Sequence, residues 1–88
     1  MKRSVADMFD LPKEVVLDLP RFTLVGREQI MIENHRGIIS FARDRMILGY
    51  SDGRICVEGH GLEVASIDAE EILIAGEIIK IEFFDDGG

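Results

Sequence analysis

The sequence predicts an all-β domain: about eight short strands in a meander, folded into a sandwich, an open barrel or a small β-solenoid, behind a short N-terminal helix. Three observations predict it. From Arg21 onward, apolar and polar residues alternate with a period of two, as in a strand with one buried face. The runs break at short intervals on Gly, Asn or Asp, which suit turns. The chain has no Trp, one Tyr and five Phe, so its core must be built from Ile, Leu and Val, with the β-branched residues favouring strands.

The first twenty residues differ from the rest. Pro12 suits the first position of a helix, where its missing N–H would be unpaired anyway. Glu14 follows in the first turn, where the helix dipole favours an acid. Val15, Val16 and Leu17 come next, and Pro20 ends the segment, so a short helix is expected around 12–17. The strands then follow in order. Phe22 and Leu24 lead to a turn at Gly26, and Ile30 and Ile32 to a turn over Asn34, His35, Arg36 and Gly37. Ile38, Ile39 and Phe41 precede a turn over 42–45, then Met46 and Leu48. Asp52-Gly53 is a hairpin signal that would supply positive φ angles. Ile55 and Val57 run to a turn at Gly59-His60-Gly61, and Leu62 and Val64 to one near Asp68-Ala69. Ile72 and Ile74 stop at Gly76, and Ile79, Ile81 and Phe83 close the domain, with Phe83 in the core and Phe84 facing outward. The expected division is a helical segment over 1–20, a β domain over 21–84 and a frayed tail over 85–88.

One pattern recurs: Ile30-x-Ile32-x-Asn34-His35, Ile55-x-Val57-x-Gly59-His60 and Ile72-x-Ile74-x-Gly76-Glu77. Each copy is a strand, a residue that tolerates positive φ, then a second strand. Ile30 and Ile55 are 25 residues apart but Ile55 and Ile72 only 17. A regular solenoid keeps its period, so a meander is favoured.

Composition narrows the function. The 88 residues make one domain, with a thin core. The net charge is −7, with residues 28–88 contributing −8 and residues 1–27 contributing +1. Such a body repels phosphate backbones, which argues against nucleic acid as a partner. Cys56 is the only cysteine, so no internal disulfide forms and a reducing, cytoplasmic setting is expected, with Cys56 a structural thiol. The sequence shows no signal peptide and no stretch long enough for a membrane span, so direct membrane insertion is not expected.

No nucleophile elbow, phosphate loop or Cys–His pairing occurs, so the chain is read as a non-enzyme without cofactors. His35 and His60 occupy matching repeat positions, as do Glu33 and Glu58. Stacked in register, they would offer imidazole and carboxylate ligands for zinc, which makes a metal-binding sensor the weakest of three readings. Solvated turns explain the same residues more simply, so no metal ligand is assigned. Unpaired strand edges suggest a homo-oligomer, and a self-assembling β protein forming rings or filaments is the second reading.

Three strings point further: Leu19-Pro20-Arg21-Phe22-Thr23-Leu24-Val25-Gly26, then Ile32-Glu33-Asn34-His35-Arg36-Gly37-Ile38, then Glu70-Glu71-Ile72-Leu73-Ile74-Ala75-Gly76 with its closing Ile-x-x-Ile-x-Phe. With these the chain resembles the YabP/YqfC family of sporulation proteins over roughly residues 10–84, most of all the YqfC branch, which has a similar "L-D-L-P-R" entry and "I-E-N-H-R-G" turn. The resemblance implies a small non-enzymatic protein of endospore-forming bacteria, acting in the mother cell as a protein-binding or scaffold module. It implies a membrane-anchored, YqfD-like sporulation protein as partner and a peripheral membrane location through that partner. The family brings no catalytic residues. The residues expected to meet a partner are Glu33, Asn34, His35 and Arg36 in the matching turn, Val15 and Val16 in the helix, and Phe84. For the turn, a purely structural role competes: Asn34 and Gly37 shape it and Arg36 pairs with an acid.

Overall fold

The alternation from Arg21 onward becomes strands in the order expected. The computed structural model describes residues 19–85. They form β1 (Arg21–Val25), β2 (Gln29–Glu33), β3 (Ile38–Ala42), β4 (Arg45–Tyr50), β5 (Gly53–Ile67) and β6 (Glu71–Asp85). All lie in one antiparallel sheet of order β1-β2-β6-β5-β4-β3. No described residue is helical. The helix expected around 12–17 lies outside the described residues.

Cross-strand pairs explain the pairing. Leu24 faces Ile30 and Phe22 faces Ile32, so β1 and β2 share an apolar face. That face continues onto β6, where Ile74 meets Ile30 and Ile72 meets Ile32. In the other half of the sheet Met46 meets Val57 and Leu48 meets Ile55. Such pairs on one face are the unit of sheet stability.

The eight expected strands are six because two expected breaks are bends. Gly59-His60-Gly61 lies inside the fifteen-residue β5, and Gly76 lies inside the fifteen-residue β6. Their ladder slips register between Glu58 and Gly59, between His60 and Glu63, and between Val64 and Ser66. Each slip is a β-bulge, which bends a strand and sharpens its twist without ending it. Glycine is needed where the two strands press together: a Cβ on Gly59 would overlap the carbonyl oxygen of Glu77, and one on Gly76, at φ 135°, would lie 2.7 Å from that of Gly61.

The bend makes the core. Ile30, Ile32, Ile72 and Ile74 come from one half of the sheet, and Met46, Leu48, Ile55 and Val57 from the other. All eight are at 0% exposure and form one cluster with Leu62 and Ile78. A flat sheet cannot bury a face without a second layer. No described helix supplies one, so the two halves cover each other, in the manner of an open barrel. Each such side chain contributes about 1.5–3 kcal/mol on burial.

Several local expectations change. The meander is interrupted, since residues 34–37 cross from β2 to β3 at the far end of the sheet. Ile79, expected in the core, is 55% exposed: Glu58 pairs with Lys80 and Gly59 with Ile78, which leaves Ile79 as the unmatched bulge residue. Ile78 takes its place in the core. Phe83 returns to the inner face opposite Ile55 but stays 52% exposed, because it stands at the end of the strand. Its ring sits 5.5 Å from Phe22 and 6.1 Å from Tyr50, edge-on to both. Phe84 faces outward opposite Arg54. The Asp52-Gly53 hairpin forms, but neither residue has positive φ. Gly53 is needed instead because a Cβ there would overlap the carbonyl oxygen of Phe84. Asp85, expected in the tail, is the last residue of β6, opposite Gly53, while 86–88 lie outside the described residues.

Gly59→Ala is expected to destabilise the domain by about 3 kcal/mol or more, since the added carbon meets the Glu77 backbone on β6 and the Leu62 side chain on β5. Urea unfolding measures this, and an unchanged midpoint would remove the close approach as the reason for Gly59.

Candidate partner-contact cleft

The crossing from β2 to β3 must reverse the chain within four residues. Asn34 does so at φ 65°, the one positive φ at a non-glycine residue among those described. Asn is the common exception to the glycine preference there. Its backbone N–H donates to the Glu70 carbonyl at 2.7 Å, and its Nδ2 donates to the Leu19 carbonyl at 2.9 Å. Gly37, at φ 106°, donates its N–H to His35 Nδ1 at 2.9 Å. Arg36 N–H donates to the Gly49 carbonyl at 2.7 Å, which carries the β3–β4 ladder into the turn.

The opposite wall is the link between β5 and β6. Asp68 Oδ1 accepts from the N–H groups of Glu70 at 2.9 Å and Glu71 at 2.8 Å, an Asx turn. These two hydrogen bonds favour the ionised form and hold the Asp68 carboxyl below the usual carboxylate range, and His35 lowers it further. The two turns enclose an open cleft of roughly 630 Å³, lined by Asn34, His35, Arg36 and Gly37 on one side and by residues 67–70 on the other. Ile67 faces solvent there, 51% exposed.

His35 is the only buried polar or charged residue described, at 6% exposure. Because Nδ1 accepts a hydrogen bond, the neutral ring carries its proton on Nε2. That Nε2–H is buried with no hydrogen-bond partner among the described residues. Leaving such a donor unpaired costs about 1–3 kcal/mol.

The structure therefore gathers Asn34, His35 and Arg36 at one cleft. Glu33 lies just before it at the end of β2, its Oε1 3.8 Å from Arg21 Nε. Phe84 is near the far end of β6 and does not line the cleft. Val15 and Val16 lie outside the described residues. His60 does not match His35: it is exposed on β5, opposite Glu77. No three His, Cys, Asp or Glu side chains gather to hold a metal among the described residues. Cys56 is buried beneath Arg45, whose Nε donates to Sγ at 3.2 Å, a cross-strand contact that spacing along the chain did not show. The residues missed from sequence are Ile67 and Glu70. Asp68 with N–H groups two and three residues on was the available signal, because that spacing makes a rigid turn.

Two comparisons bear on this turn. A model of the YabP family matches residues 18–88. A Bacillus subtilis (strain 168) protein described as "Uncharacterized protein YqfC" is 36% identical over 83 residues, covering 94% of this chain and 89% of that protein. The chain belongs to the YabP family. The matched region contains the whole sheet and both walls of the cleft, so the turn and its opposite wall are parts of the YabP-family domain itself. No solved structure matches the chain. No helix among the described residues is long and apolar enough to cross a membrane.

Two predictions test the cleft's construction. Asn34→Gly should keep the turn, while Asn34→Ala should lower stability by about 1 kcal/mol or more, because alanine resists positive φ. Thermal melts separate the two. Asp68 titrates lower when folded than when unfolded. Its contribution is therefore present above the unfolded value, near pH 4, and is lost as pH falls through that value toward the folded one. Asp68→Ala should accordingly lose less stability than the wild type between neutral pH and pH 3, read by melting at each pH.

Proposed function

We propose that this YabP-family chain is a non-enzymatic protein-binding module of spore formation, which acts in the mother-cell cytoplasm and docks on a membrane-anchored, YqfD-like partner through the cleft between 34–37 and 67–70. One observation carries this reading. The cleft joins an exposed apolar side chain, Ile67, to a rim of polar groups whose backbone is tied down by Asn34, Gly37 and Asp68. Rigid loops with an apolar centre and a polar rim are how small domains present a contact surface. The family membership supports the sporulation setting. The lack of any motif for nucleophilic or metal chemistry in the sequence supports a binding role.

The contact would bury Ile67 and set Arg36, Asp68 and Glu70 against complementary groups. Ile67→Lys and Glu70→Lys are exposed changes that leave the core intact. Each should weaken binding to the cytoplasmic part of a YqfD-like protein about tenfold, measured by titration calorimetry with purified components. Wild-type affinity in both variants would overturn the cleft as the contact. No binding of the wild type would overturn the partner.

Self-assembly is a second reading, favoured by a different observation: the exposed, uncharged strand β3 at one end of the sheet.

A further inference from the structure

We infer that the cleft between 34–37 and 67–70 has an occupant within the same chain: the apolar run Val15-Val16-Leu17, which covers Ile67 until a partner displaces it. The inference rests on the cleft being the partner's contact, and it adds what fills that contact in the free protein.

The point where the chain enters the fold carries the argument. Asn34 Nδ2 donates to the Leu19 carbonyl at 2.9 Å, and Asn34 N–H donates to the Glu70 carbonyl at 2.7 Å. One residue therefore fastens the start of the described chain to both walls of the cleft. Leu17 is two residues before Leu19 and Val15 four, so even a fully extended chain keeps them within about 7 to 14 Å of that anchor. The other end of the chain has no such access: β6 leaves the cleft at Glu71 and ends at Asp85, opposite Gly53. Ile67 stands 51% exposed in the cleft, and Leu19 is 46% exposed beside it at the Asn34 anchor. Apolar side chains gain by leaving water in proportion to the area removed, and Ile67 is the apolar side chain of the cleft that the run can cover.

Charge and tethering choose this occupant over a second copy. Two whole chains would meet with −7 each. Residues 1–18 carry three bases and four acids, a net −1, while residues 19–88 carry −6. Lys13, two residues before Val15, brings a base toward the wall that holds the Asp68 and Glu70 carboxylates. A segment joined to its site by a short tether acts at an effective concentration of about millimolar, so a contact too weak to form between molecules forms within one. A partner then binds only the fraction of chains in which the cleft is free, and its apparent affinity falls by that fraction.

The test uses the full chain with its Ile, Leu and Val methyl groups isotope-labelled for NMR. Nuclear Overhauser contacts should join the Ile67 δ methyl to methyls of Val15, Val16 or Leu17, and their absence would overturn the inference. In a mixture of labelled and unlabelled chains, contacts between copies would overturn it as well, because a second copy would then be the occupant. Ile67→Lys should move the amide signals of residues 13–18 while those of β1 and β2 stay in place; unmoved signals over 13–18 count against the contact. With Val15→Asp and Val16→Asp together, the cytoplasmic part of a YqfD-like protein should bind about tenfold more tightly than it binds the wild type, by titration calorimetry. Equal or weaker binding would show that the run does not compete with the partner. Methyl contacts present with no binding of the YqfD-like protein would overturn the partner and leave the intramolecular contact standing.

Discussion

The close approach of β5 and β6 at Gly59 and Gly76 is the constraint on which the rest depends. Two fifteen-residue strands paired along their length would make a flat, two-faced ribbon, and half of its apolar side chains would face water. The bulges turn both strands together, and the missing Cβ atoms let the backbones touch where they turn. One half of the hairpin then carries β1 and β2, and the other carries β4 and β3. The two halves can share Ile72 and Ile74 with Ile55 and Val57 only because the hairpin bends between them. A chain of 88 residues gains a two-layered core in this way from one sheet, which eases the burial problem of small domains.

The pairing of β2 with β6 places the cleft. Glu33 stands opposite Glu71, so the next rung brings the 67–70 turn beside the 34–37 crossing and Asn34 N–H reaches the Glu70 carbonyl. Each wall is then stiffened by its own short-range hydrogen bonds: His35 Nδ1 receives the Gly37 N–H, and Asp68 Oδ1 receives two backbone N–H groups. The unpaired Nε2–H of His35 is a cost the fold carries at this place alone among the described residues. A sheet whose stability rests on aliphatic packing can sustain one such group, and His35 carries it at the wall of the cleft.

Much of this was legible in the sequence, for physical reasons. Period-two alternation reports which residues face inward, and it located every strand from β1 to β4 and the all-β class. Alternation fails at bulges, because one unmatched residue shifts the parity, which is why Ile79 lies outside and Ile78 inside. Glycine is equally ambiguous in one dimension. Gly26 and Gly37 mark turns through positive φ, whereas Gly53 and Gly59 are there for a neighbour's carbonyl that lies more than fifteen residues away in the chain. The turn containing Asn34 and His35 was readable as a turn. Its opposite wall was not, since the meeting of 34–37 with 67–70 follows from the pairing of β2 with β6, which lie far apart in the chain, and not from either segment alone. The apparent equivalence of His35 and His60 fell for the same reason: matching strings in different curvatures present their side chains to different surroundings.

Charge and edges complete the argument. The acidic side chains that alternate along β5 and β6 are partly balanced on the outer face, where Lys80 Nζ lies 3.2 Å from Glu82 and 3.8 Å from Glu58. Glu82 tightens Lys80's hold on its proton, and Glu58 adds to the effect. Exposed pairs of this kind add little stability, but they keep the middle of the sheet uniformly wet and charged. The apolar, uncharged surface is displaced to the periphery: Ile67 at the cleft and Ile39 and Phe41 on β3. Those two places differ in kind. Ile67 sits among polar groups on a rigid turn, which suits a partner with a shaped and charged surface. β3 offers backbone and alternate apolar side chains, which suit another strand. The domain thus keeps the middle of its sheet charged and leaves apolar surface at two margins that differ in chemistry.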